Sequence, residues 1–286
     1  MGDFSTVWLQ LREPVDRRSR ATAIADALRD AFLTHRVARV IDIGCGTGAN
    51  LRATAPLLGA EQEWTLLDND PALLEAARDI LAAWADHAEL NPDGPRLRKD
   101  GKTIRVRFRL YDLAADPGGS IEDGADLVTA SAFFDLVSPA FIDRLVSAVV
   151  RQKAAFHTVQ TYDGTHRWSP ESAFDGAIGR AFNMHQTADK GFGPAAGPGA
   201  SALLRQAFQA AGYATRLSPS PWVLAADDSA LIVELVDGIA AAVAETGQVS
   251  ADAIMAWRTL SRQAARVGHD DFLALPAGWP KGDPSA

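Results

Sequence analysis

The stretch of residues 40–50, with the sequence VIDIGCGTGAN, constrains this chain more than any other part of it. Its apolar, β-branched first half predicts a buried parallel strand. The strand ends at three alternating glycines, Gly44, Gly46 and Gly48, and residues 51–58 continue with helical spacing. Glycines let a ligand approach the backbone, and the start of a helix offers unpaired N–H groups. The stretch therefore predicts a ligand site at a strand–turn–helix junction.

Two classes of ligand fit this loop. Residues 44–49 satisfy the dinucleotide fingerprint in its form G-x-G-x-x-A. Three features favour S-adenosylmethionine instead. Asp42 precedes the first glycine by two residues, where a carboxylate repels a pyrophosphate but attracts an ammonium group. The glycines alternate, and a second predicted strand, residues 64–68, ends at Asp68, which is placed to accept both ribose hydroxyls.

Four stretches, residues 40–50, 66–70, 110–113 and 126–136, resemble motifs I to IV of the class I S-adenosylmethionine-dependent methyltransferases. The resemblance implies an α/β fold with three Rossmann-like layers. In that fold a mostly parallel seven-stranded sheet carries helices on both faces, with extra helices at both ends of the chain. We therefore expect one methyltransferase domain over residues 1–286. Its parts are a helical lid (1–35), a core (36–226) with an insertion (163–200), C-terminal helices (227–268) and a tail (269–286).

The resemblance also implies which residues bind the cofactor. Asp112 ends the third predicted strand, where the family has an acid that accepts a hydrogen bond from the adenine amino group, and the next backbone N–H donates to the ring. A helix or turn cap is the alternative role for Asp112. Cys45 is expected to be a small residue that fills the turn rather than a reactive thiol. The cofactor candidates are Asp42, Gly44, Cys45, Gly46, Gly48, Asn50, Asp68, Asn69, Asp112, Leu113 and Ser131.

Candidates for the methyl acceptor's site follow from the same resemblance. The fourth motif forms the floor under the transferable methyl group, and the insertion commonly builds the acceptor pocket, although a plain surface loop is the alternative. For Trp8 core packing is the alternative role, and for Arg12 a surface ion pair. The substrate candidates are Trp8, Arg12, Phe133, Phe134, Asp163, Gln186 and Lys190, and the candidates for a general base toward a hydroxyl acceptor are His185, Asp135 and Tyr162.

The composition of the chain disfavours some classes of binding partner. A net charge of −8 and a pI of about 5.2 disfavour binding to a phosphate backbone, which needs a basic face. No apolar run is long enough to cross a membrane, and the N-terminus does not resemble a signal peptide. The single cysteine cannot form an internal disulfide, which fits the cytoplasm. We expect a small-molecule substrate, no nucleic acid and no membrane partner, and we leave open a homodimer formed through the C-terminal helices.

The predicted activity is methyl transfer from S-adenosylmethionine to a small molecule by in-line displacement. This reaction needs alignment and a dry pocket rather than a metal, and the six histidines show no spacing typical of metal ligands. Two alternatives stay open. One is a protein that binds S-adenosylmethionine or S-adenosylhomocysteine without transferring the methyl group, and the other is a nicotinamide-dependent oxidoreductase.

Three further expectations concern the order of elements. Residues 104–110 alternate between apolar and charged side chains, which predicts an edge strand with one face in water. Residues 213–217 and 222–225 are short extended pieces and predict a terminal hairpin. Residues 231–245 and 251–267 show helical periodicity and predict two helices.

Overall fold

The computed structural model describes residues 5–91, 93–121 and 124–279. Its helices are α1 (Thr6–Ser19), α2 (Thr22–Phe32), α3 (Ala49–Thr54), α4 (Pro71–Trp84), α5 (Pro139–Gln152), α6 (Asp175–Gln186), α7 (Ala200–Ala210), α8 (Ser229–Thr246) and α9 (Ala251–Arg258). Its strands are β1 (Ala38–Ile43), β2 (Glu61–Asp68), β3 (His87–Glu89), β4 (Arg96–Lys99), β5 (Lys102–Leu110), β6 (Leu127–Ser131), β7 (Ala155–Ser169), β8 (Ala214–Pro219), β9 (Trp222–Leu224) and β10 (Ala264–Leu275).

All these strands join one sheet in the order β3-β4-β5-β2-β1-β6-β7-β10-β8, and β9 pairs with β10. The central strands β5-β2-β1-β6-β7 are parallel and have the 3-2-1-4-5 order of doubly wound sheets. β10 runs antiparallel to both β7 and β8. Seven strands thus form the predicted mostly parallel sheet, and the short strands β3, β4 and β9 extend it.

Successive side chains along the buried strands point to opposite faces of the sheet, so each strand contributes to two hydrophobic cores, one on each face. On β1, Val40 packs with α2 and α4, whereas its neighbour Ile41 packs with α5 and α7. Large buried side chains such as Phe32 on the first face and Phe141 on the second each contribute roughly 1.5–3 kcal/mol of hydrophobic free energy. This double burial explains the near-continuous apolar pattern of residues 40–43 and produces the three-layer architecture.

β5 corrects one expectation, because it is not an edge strand. The antiparallel strand β4 pairs with it along Arg96–Lys99, and β3 pairs in turn with β4. The alternating arginines of β5 still leave one face wet, since Arg105 and Arg107 are exposed while Val106 is buried. Alternation therefore indicated a half-exposed face correctly, but it carried no information on whether another strand covers the edge.

The C-terminal third departs most from the expectations. α9 ends at Arg258, and residues 264–275 form strand β10 in the interior of the sheet, where a helix to residue 267 and a tail from 269 were expected. The expected boundary at 268/269 therefore cuts through a strand. β8 and β9 do not form a hairpin with each other, since each pairs with β10. Long-range pairing overrides the local helical periodicity here.

The expected insertion after the fifth strand also changes its form. β7 continues through residue 169, into the range 163–200 expected for the insertion, and α6 follows within that range as a regular helix. No helix within the described ranges is long and apolar enough to cross a membrane.

Candidate functional site

A cavity of about 380 Å³ lies at the carboxyl ends of β1, β2 and β6, beneath α1. This is the edge of an open α/β sheet where ligands collect, and the volume is in the range of small-molecule sites. Its lining comprises Leu9, Arg12, Asp16, Gly44, Cys45, Gly46, Thr47, Ala49, Asn50, Asp68, Asn69, Asp70, Pro71, Leu73, Tyr111, Leu113, Ser131, Ala132, Phe133, Leu136 and Phe192.

The glycine loop adopts a backbone that only glycine accommodates without strain. Gly44, Gly46 and Gly48 all have positive φ, at 63°, 52° and 77°. A Cβ on Gly44 would lie 2.8 Å from Cδ2 of Phe133, so the loop and the floor after β6 fit only without a side chain there. Gly48 precedes α3, and a Cβ there would contact Leu81 rather than the cavity. The alternating glycines thus shape both the turn and the cavity wall.

Asp68, at the end of β2, is fixed by the loop it faces. Its Oδ2 accepts a bond from the Gly46 N–H at 2.8 Å, and its Oδ1 accepts one from the Asp70 N–H at 3.1 Å. Burial raises the pKa of Asp68, although these backbone N–H groups oppose the rise. An ionised carboxylate has about four acceptor positions, so both oxygens keep capacity for ligand hydroxyls. Asp70 in turn caps α4 through the Ala72 N–H.

α1 closes the cavity from above and presents a paired arginine to it. Asp16 accepts from Arg12 Nε at 2.8 Å and from Trp222 Nε1 at 2.9 Å, and the Arg12 guanidinium lies 5.6 Å from the Trp222 ring centre. Arg12 therefore both forms the ion pair with Asp16 and lines the cavity. Leu9 covers the glycine loop, since a Cβ on Gly46 would lie 3.2 Å from Leu9 Cδ1. Trp8 lies outside the lining and packs against the core formed with α8, the alternative role expected for it.

Asp42 corrects a central expectation, because its side chain is fully buried and does not line the cavity. Its Oδ1 accepts from Asn50 Nδ2 at 2.8 Å, and the same nitrogen reaches Thr129 at 3.1 Å. Arg20 donates to the Asn50 carbonyl oxygen at 2.8 Å. Burial raises the pKa of Asp42 to about 7, despite the opposing effects of Asn50 and the Arg20 charge. Asp42 therefore holds Asn50 beneath the loop rather than contacting a ligand directly.

The third-strand end also differs from the expectation. Asp112 is exposed and outside the lining, and its Oδ1 accepts from the N–H groups of Ala114 and Ala115 at 3.0 and 3.3 Å. This is the turn-cap alternative. Its neighbours Tyr111 and Leu113 do line the cavity and, with apolar groups at the start of α4, form a slot beside Asp68. Cys45 is buried, and burial raises the pKa of its thiol, which fits a packing role.

The two adjacent phenylalanines that follow β6 have different environments. Phe133 lines the cavity, and its ring makes edge contacts with Phe134 and Phe192 at 5.5 and 5.6 Å between ring centres. Phe134 is fully buried against Phe156 and belongs to the core, so its predicted contact with a substrate is wrong. Phe192 is the one residue of the expected insertion that the lining contains.

Asp135 and Tyr162 lie behind this floor. Burial raises the pKa of Asp135 to about 6, opposed by its own backbone N–H, the Arg12 charge and the Tyr162 N–H. Asp135 Oδ1 has no hydrogen-bond partner within the described part of the chain. The Tyr162 hydroxyl donates to Asn183 at 2.9 Å, and burial raises its pKa further from neutrality. Neither Asp135 nor Tyr162 is in the cavity lining. Asp135 follows the lining residue Phe133 by two positions and is, of the three predicted bases, the one with a buried side-chain oxygen that no described group occupies.

The remaining candidates from the insertion lie away from the cavity. His185, on α6, is 3.0 Å from Glu245 Oε2 on α8, and Lys190 Nζ is 3.2 Å from His185 Nδ1. Asp163 accepts from the hydroxyl of Thr165 at 2.7 Å. None of these residues, nor Gln186, is in the lining. The expectation that His185 faces the cavity is wrong, because its α6 face packs toward α8.

Several lining residues escaped the sequence analysis. Asp16 follows Arg12 by four residues on α1, a helical spacing that could have paired them. Tyr111 immediately precedes Asp112, and Phe192 stands between two glycines. For Leu9, Thr47 and Leu73, no local sequence signal shows whether the side chain lines a cavity or packs in the core. Within residues 5–91, 93–121 and 124–279, no group of three or more side chains is arranged to hold a metal ion.

Comparison with known proteins gives limited matches. No family model matches the chain. The biotin biosynthesis bifunctional protein BioCD of Bordetella avium is 36% identical over 97 residues, which is 34% of this chain and 18% of that protein. The match therefore spans less than a fifth of that relative's length.

Solved structures resemble the chain at low identity. The YcgJ protein of Bacillus subtilis is 14% identical with a TM-score of 0.49, covering 90% of this chain and 99% of that one. The mycolic acid cyclopropane synthase CmaA1 is 12% identical with a TM-score of 0.45, covering 87% and 83%. An O-methyltransferase family protein from Burkholderia thailandensis is 13% identical with a TM-score of 0.46, covering 93% and 60%.

The chain's own geometry defines its fold class. The sheet carries a glycine loop after β1, a fixed carboxylate after β2 and a ligand-sized cavity that runs from there to the end of β6. An antiparallel strand, β10, stands beside the fifth parallel strand. With this order of strands, the chain is a three-layer α/β protein with a mostly parallel, doubly wound sheet, as the sequence predicted.

Proposed function

We propose that the protein binds S-adenosylmethionine in this cavity and transfers its methyl group to a small molecule. The observation that carries the proposal is the course of the cavity. It begins at the Asp68 carboxylate, passes over the glycine loop and ends at the floor formed by Ser131 and Phe133. A nucleoside at one end and a reacting group at the other match this course.

The lining fits each part of the cofactor. Asp68 accepts the ribose hydroxyls, and the apolar slot formed by Tyr111, Leu113 and Leu73 takes the adenine ring. At the other end, Arg12 faces the cavity with Nε held by Asp16. Thr47 lines the same region, and its hydroxyl has no hydrogen-bond partner among the described residues. A guanidinium and a free hydroxyl under α1 suit the carboxylate of an amino acid.

The bound cofactor supplies a methyl group on a sulfonium, whose positive charge disappears in the transfer. Water stabilises that charge in the ground state, so a closed apolar wall favours reaction. Leu9, Phe133 and Phe192 provide this wall around the middle of the cavity. The rigid loop and floor contribute by holding donor and acceptor in line.

A small-molecule acceptor is supported by two observations. The chain carries eight more negative than positive charges, which disfavours a nucleic-acid acceptor. The BioCD relative is named for the biosynthesis of a small molecule. A cytoplasmic location and the absence of nucleic-acid and membrane partners remain predictions from composition.

The proposal is tested by ligand binding. Titration calorimetry is expected to show S-adenosylhomocysteine binding at micromolar levels, with NAD binding far more weakly, because Asp68 and the short cavity suit one nucleoside. Tighter binding of NAD would overturn it in favour of the oxidoreductase alternative. Incubation with methyl-labelled S-adenosylmethionine and a metabolite extract then separates transfer from binding alone, since only transfer labels a product.

Asp135, rather than His185, is the proposed proton acceptor when the methyl acceptor is a hydroxyl. With a pKa of about 6 it is ionised above that pH and can take a proton. We expect the rate with the acceptor found by labelling to rise with pH through about 6 in the parent protein and to lose that rise in Asp135→Asn. His185→Ala is the control and should keep the parental profile. A pH profile unchanged in Asp135→Asn would exclude this role.

A further inference from the structure

α1, which covers the cofactor cavity, is joined to the glycine loop by one side chain of α3. Arg52 donates through Nε to Glu13 Oε1 at 2.7 Å and through Nη2 to Glu13 Oε2 at 2.5 Å. Its remaining nitrogen, Nη1, donates to the carbonyl oxygen of Thr47 at 2.8 Å. A guanidinium is a planar fork whose donors suit such a two-bond pairing with a carboxylate. Arg52 therefore binds the cover of the cavity and its glycine loop at the same time.

The two groups that Arg52 holds lie in or next to the cavity lining. Thr47 is in the lining, and on α1 the lining residue Arg12 immediately precedes Glu13, with Leu9 one turn earlier. Neither Arg52 nor Glu13 is in the lining itself. Their influence on a ligand therefore acts through the residues that they position.

The Glu13–Arg52 pair is largely shielded from water. The side chain of Arg52 is 7% exposed and that of Glu13 is 27% exposed. Exposed ion pairs contribute little, because water and salt screen them, whereas the loss of one partner from a shielded, hydrogen-bonded pair mainly speeds the separation of the parts that it joins. Removing the charge of Glu13 should therefore loosen the contact between α1 and α3.

The first half of α1 has few other attachments. Within the described ranges, Glu13 is the one residue of 6–13 whose side chain is hydrogen-bonded to another helix or strand, and the rest of this half is held by apolar packing. Pro14 follows Glu13 and has no N–H, so the helical bond to the Gln10 carbonyl is missing. The first half is therefore joined less firmly to the rest of the helix.

The second half of α1, in contrast, is anchored to the body of the protein. Asp16 accepts from Trp222 Nε1 on β9 at 2.9 Å. Arg20, at the end of α1, donates to two side chains of α3 at 2.8 and 2.9 Å. Pro14 thus stands between an anchored half and a half whose polar attachment is Glu13.

We infer that the Glu13–Arg52 pair is a latch that controls the exchange of cofactor and product, with residues 6–13 as the moving segment and Pro14 as its hinge. The inference rests on the proposed function, since it takes the cavity beneath α1 as the cofactor site. With the pair formed, the first half of α1 closes the cavity over the ligand, and with the pair broken it lifts and lets the ligand pass. Arg52 couples this movement to the glycine loop. Glu13 and Arg52 are therefore positioning residues.

The kinetics of S-adenosylhomocysteine binding, measured by surface plasmon resonance, test the latch. Glu13→Gln keeps the shape of the side chain and leaves the bond from Arg52 to Thr47, but it removes the charge. We expect its association and dissociation rate constants both to rise about tenfold, with the Kd within about threefold of the parent value. A gate that opens more often speeds passage in both directions, whereas a damaged site speeds dissociation alone.

The control for this experiment is Glu234→Gln, which makes the same change on the exposed surface of α8 and should keep the parental rate constants. An association rate constant in Glu13→Gln that equals the parental one would overturn the latch.

Arg52→Gln separates the two contacts that Arg52 makes. It breaks the latch and also releases the Thr47 carbonyl, so we expect the same faster exchange together with a Kd weaker than that of Glu13→Gln. Equal Kd values in the two variants would overturn the coupling of the latch to the glycine loop.

Hydrogen exchange in the ligand-free protein tests the latch without relying on the proposed function. In Glu13→Gln the backbone amides of residues 10–13 are expected to exchange faster, with those of residues 15–19 and of β1 unchanged. Parental exchange at residues 10–13 would overturn the latch even if S-adenosylhomocysteine binds. Faster exchange there, in a protein whose parent binds no S-adenosylhomocysteine, would support the moving segment but overturn both the proposed function and the role of the latch in ligand exchange.

Discussion

Replacing Asp68 by alanine is expected to weaken S-adenosylhomocysteine binding by roughly 2–4 kcal/mol, a factor of about 30 to 1,000. The variant loses the two charge-assisted bonds to ribose that we propose for Asp68, and it also releases the Gly46 N–H that Asp68 Oδ2 holds at 2.8 Å. The affinity loss therefore combines missing contacts with a less ordered loop. Titration calorimetry measures it directly.

Two companion variants sharpen the Asp68 experiment. Asp68→Asn keeps the shape and one carbonyl oxygen, so its affinity should fall between those of the parent and the alanine variant. Asp79→Asn removes an exposed charge from α4 and should bind as the parent does. Affinity within about threefold of the parent in Asp68→Ala would mean that the ribose lies elsewhere, since a lost charged hydrogen bond has a larger effect.

Asp42→Asn is expected to stabilise the protein, with a gain that grows with pH. The folded-state pKa of about 7 lies above the ordinary 3.8, so the folded chain binds more protons than the unfolded chain between these values. Asp42 therefore lowers the free energy of unfolding as pH rises through that window. The variant removes this effect, and its gain should approach zero near pH 3 and reach up to about 4 kcal/mol above pH 7.

Urea unfolding at several pH values measures the Asp42 effect. Asp79→Asn is the control, because its exposed carboxyl should produce no comparable pH-dependent gain. The Asn50 bond survives in Asp42→Asn, since an amide oxygen can still accept from Asn50 Nδ2. A stability difference that is constant from pH 4 to pH 8 would contradict burial as the cause of the raised pKa.

The parts of the fold that sequence predicted are those encoded locally. The apolar run of β1, the alternating glycines and the acid after β2 all lie within about thirty residues, and each has a direct physical reason. Asp68 and Phe133 reach the cavity as predicted for strand ends. At Asp42 the same reasoning failed, because position near a strand end does not say whether a side chain points to the cavity or to the layer beneath it.

The unpredicted parts depend on partners far away in the chain. His185 is drawn from the cavity by Glu245, sixty residues later, and Asp16 is positioned by Trp222. β10 has apolar residues at spacings that suit a helix as well as a strand, and only its pairing with β7 and β8 decides between them. No local pattern contains these contacts.

The place of β10 has a consequence for how the chain acquires its structure. β10 fills the gap between β7 and β8, and its Asp271 bonds to the N–H of Ala21, 250 positions earlier, and to Gln160 and Ser220. A nascent chain cannot close the sheet or anchor the start of α2 until residue 275 has left the ribosome. Pairings of such long sequence separation form slowly. During synthesis the edge of β7 therefore stays open, which makes this protein a candidate for chaperone protection until its last strand arrives.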